Sequence, residues 1–105
     1  MVGFIFLVMF VIQYFWQIRP GKEKEFEKAW SVLSEEVITT NGMIGSRLHR
    51  TEDGTYIGYS EWKTKGDWEL AGKHPASDTS ARDAIAKCIQ HTTAVYFMNV
   101  VADLL

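Results

Sequence analysis

The chain has one cysteine, two prolines and no cluster of cationic side chains, and each scarcity removes a class of function. Cys88 has no partner for an internal disulfide and no second thiol for a CxxC motif, which fits a reducing compartment and makes a cytoplasmic location the expectation. The 11 Lys and Arg are dispersed among 13 Asp and Glu, for a net charge of -2. A chain so balanced lacks the basic footprint that neutralises phosphates, and nucleic acid is excluded as an expected partner. The three histidines, His49, His74 and His91, lie on separate segments without metal-ligand spacing or a neighbouring carboxylate cluster, so no metal is expected. GxSxG, GxGxxG and P-loop motifs are absent, which leaves acyl-transfer and nucleotide chemistry without support. With 105 residues and no Pro-, Gly- or Ser-rich linker, there is room for one domain. Aromatic residues, by contrast, are plentiful: four Trp, four Tyr and six Phe. A monomer of this size buries only about two-thirds of its unfolded surface, so a pocket or a partner is expected to cover some of them.

The segment from Met1 to Ile18 carries no charge. It lacks the basic start and small-residue cleavage site of a secretory signal. Gln13 and Gln17 dilute it below a spanning helix, which needs about 20 mostly apolar residues. Its β-branched and aromatic content suits a buried strand, and a membrane-anchored form is the weaker reading. Such a run is long for one strand, so residues 1–8 are read as an apolar extension or the start of strand one, and residues 9–105 as the single domain.

Punctuation divides the remainder. Pro20-Gly21 ends strand one. Phe26, Ala29, Trp30, Leu33 and Val37 then recur at helical spacing from about Lys22 to Thr39, with Asn41-Gly42 as the stop. Ser46 to Thr51 and Thr55 to Trp62 flank Asp53-Gly54, a hairpin signal. Thr64 and Asp67 resemble a capping box for a short helix bearing Trp68 and Ala71 that stops near Pro75. Ser80 with Asp83 is the expected start of a further helical segment carrying Ala84, Ile85 and Cys88 and ending near His91, and Thr92 to Val101 reads as the last strand. The order predicts an α+β, ferredoxin-like βαββαβ fold with a four-stranded antiparallel sheet. Helices cover one face of such a sheet. The apolar other face predicts a homodimer of packed sheets.

The stretch from Gln17 through Pro20-Gly21-Lys22 to Trp30, the Gly-rich entry to strand two, and Tyr56-Ile-Gly-Tyr-Ser-Glu-Trp62 leading to Trp68 together resemble the antibiotic biosynthesis monooxygenase family. That resemblance implies a dimeric α+β barrel and a pocket between helices and sheet in each subunit. It also implies, for the oxygenase branch, a reaction of dioxygen with a small aromatic or quinol-type substrate and no cofactor. The haem-degrading branch is disfavoured, because strand one has no Asn and Trp68, His74 and Pro75 depart from its spacing. Family membership alone does not select the reaction.

His74, where the second helix breaks, is the candidate catalytic acid or base, with a water-facing helix end as the alternative. Trp68 is placed beside it, and Trp62 and Tyr59 are read as substrate-binding, since indoles six positions apart could stack a planar ring; core packing explains them equally. His49, opposite in parity to Leu48, is a candidate for polarising a substrate oxygen or is an ordinary surface histidine. Gln13 is a ligand-binding candidate because an amide on a central strand needs a partner. His91 is read as a cation near helix C-terminal carbonyls, and Cys88 as a core thiol. Two readings stay open: a cofactor-independent monooxygenase, and a non-catalytic small-ligand-binding or dimeric interaction module.

Overall fold

Arg19-Pro20-Gly21-Lys22 forms the first turn, with the Lys22 N–H donating to the Arg19 carbonyl at 3.0 Å. Proline in its second position presets the backbone for that turn. The computed structural model describes residues 9–73 and 78–104; the apolar segment 1–8 and His74 lie outside them. Its elements are β1 (Phe10–Ile18), α1 (Glu23–Thr40), β2 (Met43–Arg50), β3 (Tyr56–Trp62), α2 (Lys65–Lys73), α3 (Ser80–Cys88) and β4 (Ile89–Asn99). The strands form one antiparallel sheet in the order β2-β3-β1-β4. This is the ferredoxin-like architecture expected from the element order.

Helix α1 begins with a local exchange in which the Gly21 N–H donates to the Glu23 carboxylate at 3.0 Å. Backbone N–H groups of Glu23 and Gly21 hold that carboxyl below its usual range. The helix stops where the Asn41 N–H bonds the Val37 carbonyl at 2.9 Å and Gly42 takes φ 84, a conformation costly for a residue with a Cβ.

Alternation along β1 decides where the core lies. Phe10, Ile12, Tyr14 and Trp16 face the helices, and Val11, Gln13, Phe15 and Gln17 take the other face. One core cluster is Phe10, Ile12, Met43 and Trp62. The second is Trp16, Phe26, Tyr56 and Cys88. Phe26, fully buried, is gripped edge-on by Trp16 at 5.4 Å and Tyr56 at 5.2 Å. Burying one such side chain is worth about 1.5–3 kcal/mol. Cys88 is buried in this cluster, which pushes its thiol pKa up, as a core thiol should behave.

Three boundaries differ from the sequence reading. Thr79, not Ser80, stands at the N-cap position of α3, its hydroxyl donating to the Asp83 carboxylate at 3.0 Å, while the Ser80 N–H donates to Asp78 at 2.9 Å. At the other end α3 stops at Cys88, and His91 lies in β4 opposite Gln17 rather than on a helical turn. Arg19 joins Lys87 as a cation at the α3 C-terminus: its side chain donates to the Lys87 carbonyl at 3.1 Å and its N–H donates to the Cys88 carbonyl at 2.8 Å. Strand β2 also starts earlier than expected, at Met43, with Ile44 as an extra residue against β3. Among the described residues no helix is long and apolar enough to cross a membrane.

Candidate functional site

Between the helices and the sheet lies a cavity of about 310 Å³. Its floor is Tyr14 and Trp16 of β1 with Gly58, Ser60 and Trp62 of β3. Trp30, Leu33 and Val37 of α1 form one wall, Met43 and Ser46 of β2 another, and Trp68 and Ala71 of α2 with Ile85 of α3 close the rest. A space of this kind, apolar with few polar groups, suits a small ring-shaped ligand.

The floor depends on Gly58. A Cβ there would come within 2.5 Å of the Trp16 ring, so only glycine lets that indole lie across β3. Trp16 in turn stacks flat on Tyr14, with centroids 5.2 Å apart and planes 4° from parallel. Trp68 leans over Phe10 at 6.0 Å and Phe97 at 5.2 Å. Burial raises the Tyr14 phenol above its usual pKa, and the Trp68 indole N–H beside the hydroxyl offsets part of that rise. Trp62 is almost wholly buried and donates to the Ser60 hydroxyl at 3.2 Å. Among the described residues, the charged groups of the lining are Glu36 of α1 and Arg82 of α3.

Among the residues singled out from sequence, Trp62 and Trp68 meet at this cavity. Tyr59 belongs to its lining as well, but register pairs Tyr59 with Gln13 on the opposite face, where its hydroxyl donates to Glu61 at 2.7 Å. Burial, the Glu61 carboxylate and Asp103 push the Tyr59 pKa up to about 12. Gln13 sits on that same helix-free face between Tyr59 and Tyr96, and so apart from the cavity. His49 is exposed on β2 and borders a second, shallow depression with Glu27, Ser31 and Arg50. Tyr14 and Trp30 were not singled out as site residues. Alternation put Tyr14 and Trp16 on one face of strand one, and helical spacing put Trp30 on the buried stripe, but neither pattern tells a cavity wall from a packed core. Among the described residues no group of three or more His, Cys, Asp or Glu gathers to hold a metal ion.

A four-stranded antiparallel sheet under three helices, with an aromatic cavity between the layers, defines a ferredoxin-like α+β protein with an internal small-molecule-sized site. The chain belongs to the antibiotic biosynthesis monooxygenase family, whose pattern it matches over residues 9–82. Solved structures share the fold at low identity. A conserved protein from Methanosarcina mazei Go1 aligns at TM-score 0.74 and 17% identity over 88% of this chain and 92% of that one. SnoaB, a cofactor-independent oxygenase from Streptomyces nogalater, aligns at TM-score 0.70 and 13% identity over 93% of this chain and 96% of that one. Rv0793 from Mycobacterium tuberculosis aligns at TM-score 0.73 and 10% identity over 92% and 99%. No curated protein is significantly similar in sequence.

Proposed function

We propose that the chain is a cofactor-independent monooxygenase that oxidises a small phenolic or quinol-type aromatic in the cavity between helices and sheet. The observation that carries this reading is the cavity itself, walled by Trp16, Trp30, Trp62 and Trp68 with the Tyr14 phenol among them, in a chain of this family. Indole walls stack a planar ring and exclude water from it. In the reaction, one atom of dioxygen enters the ring and the other leaves as water with the two hydrogens the substrate loses, so a phenol plus dioxygen gives a quinone plus water. The electrons come from the substrate, and the protein's work is to bind the ring, favour its deprotonated form and hold it against dioxygen. Trp68 and Trp62 are the stacking groups, Tyr59 borders the cavity with its side chain turned to the opposite face, and His74 is proposed as the proton acceptor. Gln13 and His49 are kept as polar substrate contacts only if a second subunit brings the helix-free face into the site. That face carries Val11, Phe15, Ile57 and Tyr96, and we propose that a second copy covers it.

Oxygen uptake tests the reading directly. Purified protein with a panel of hydroquinones and polycyclic phenols, without added metal or flavin, is expected to consume dioxygen above the autoxidation rate and to place one labelled oxygen atom in the product. Uptake no faster than the protein-free control across the panel overturns it. One observation favours the non-catalytic alternative: among the described lining residues the only carboxylate is Glu36, and none is a histidine. A ligand-induced rise in melting temperature without turnover is the result that alternative requires.

A further inference from the structure

We propose that residues 1–8 pack onto the flank of β4 on the helix side of the sheet and cover Val95 and Phe97. The proposal stands whatever ligand the cavity takes. Among the described residues, the helices leave that flank bare. Register puts Val95 opposite Tyr14 and Phe97 opposite Ile12, so both side chains lie on the helix side. Ile12 is wholly buried, yet Phe97 is 53% exposed and Val95 38%. Phe97 reaches the core through two rings, stacked on Phe10 at 6.2 Å and tilted against Trp68 at 5.2 Å. Neighbouring large apolar side chains left in water mark a surface that something covers.

The occupant follows from where the chain enters and what it carries. The Met9 carbonyl accepts the Val100 N–H at 2.9 Å, and Phe10 comes next, stacked on Phe97. Residues 1–8 therefore join the fold at the rim of the bare flank. They carry no charge and are apolar apart from Gly3. Fully extended they reach about 27 Å, and the step from Phe97 to Val95 along the strand is only about 7 Å. On the helix-free side Val11, the first residue of β1 on that face, is already buried, at 2% exposure. Tethering at Met9 gives the segment an effective concentration on the order of millimolar, which a second copy at micromolar concentration does not match. The family pattern begins at residue 9, so this contact is an addition to the common fold. Trp68 also walls the cavity, and the same contact braces that wall.

Thiol labelling tests the contact. Cys88 is buried, so Phe97→Cys adds one reactive position, and its rate with a maleimide is compared between the full chain and a chain lacking residues 2–8. Labelling is expected to be at least about tenfold faster without the segment. Val95→Cys repeats the measurement with Phe97 left in place. Tyr96→Cys, on the helix-free face, is expected to label at one rate in both chains. The shortened chain is also expected to melt several degrees lower. If it does not fold, the full chain carrying Phe4→Asp and Phe6→Asp takes its place in the comparison. Equal rates at positions 95 and 97 with and without the segment overturn the proposal, and so does a change at position 96 in their stead. Protection that fades on dilution assigns the cover to a second copy and overturns it too. Equal rates combined with binding of the full chain to phosphatidylcholine vesicles overturn it in favour of a membrane surface.

Discussion

Tyr56 shows how one side chain ties layers together. It is buried at the start of β3, its hydroxyl donates to Glu27 of α1, and the Arg50 guanidinium lies 5.3 Å over its ring. Burial first, and then the Glu27 carboxylate, push its pKa up to about 12 from the usual 10.0. An acid with a higher value in the folded state holds its proton more tightly when folded. Its stabilising contribution is therefore complete below about pH 10 and is lost as the pH rises to about 12. Denaturant unfolding across that window is expected to show falling stability. Tyr56→Phe is expected to flatten that alkaline limb while costing about 0.5–1.5 kcal/mol at neutral pH for the lost hydrogen bond. Tyr59, also near 12, leaves a residual slope in the variant. Phe26, with no exposure and two edge-on ring partners, is the most demanding apolar position of α1. Phe26→Ala is expected to cost about 3–5 kcal/mol in the same measurement.

Among the elements, β3 joins fold to site most directly. Gly58→Ala would drive a methyl group into the Trp16 ring, which Tyr14 and Phe26 hold on its other sides. The expected result is a loss of about 1–3 kcal/mol, seen as a lower melting temperature, together with weaker binding of a phenolic ligand because Trp16 shifts into the cavity. Unchanged stability and binding would show that the ring has room to move. The order and type of the elements were legible from local chemistry: the Pro-Gly turn, the Asn-Gly stop and the Asp-Gly hairpin each act within a few residues. The α3-to-β4 junction was not, because its helix end is held by Arg19, 68 residues earlier than the Lys87 carbonyl it reaches. Ile89 continues the apolar stripe of Ile85 and Cys88 and equally suits the start of a strand, so periodicity alone put the boundary late. The site divides in the same way. Trp62 and Trp68 were legible because they flank one junction in sequence, whereas the pairing of Tyr14 with Trp68 is made by the fold.

For the whole molecule, one sheet face is roofed by helices and the other carries Phe15 and Tyr96, in edge-to-face contact at 5.7 Å, with Gln13 and Tyr59 nearby. Tyr96 is 54% exposed. Sedimentation is expected to show the proposed homodimer, and Tyr96→Asp to shift it towards monomer, since a charge facing the partner copy would be buried without a mate. A wild type that sediments as a monomer at micromolar concentration would refute the dimer. The extra residues in the strands bear on how copies can meet. Ile44 interrupts the pairing of β2, and Gln90 and Thr93 interrupt that of β4, where the Thr93 hydroxyl bonds the Phe15 carbonyl at 3.2 Å. Both outer strands are thus kinked and overtwisted where a straight neighbour would have to align its amides. The sheet is a poor template for endless lateral growth into fibrils, and the homodimer proposed above would use its broad face instead of its edges.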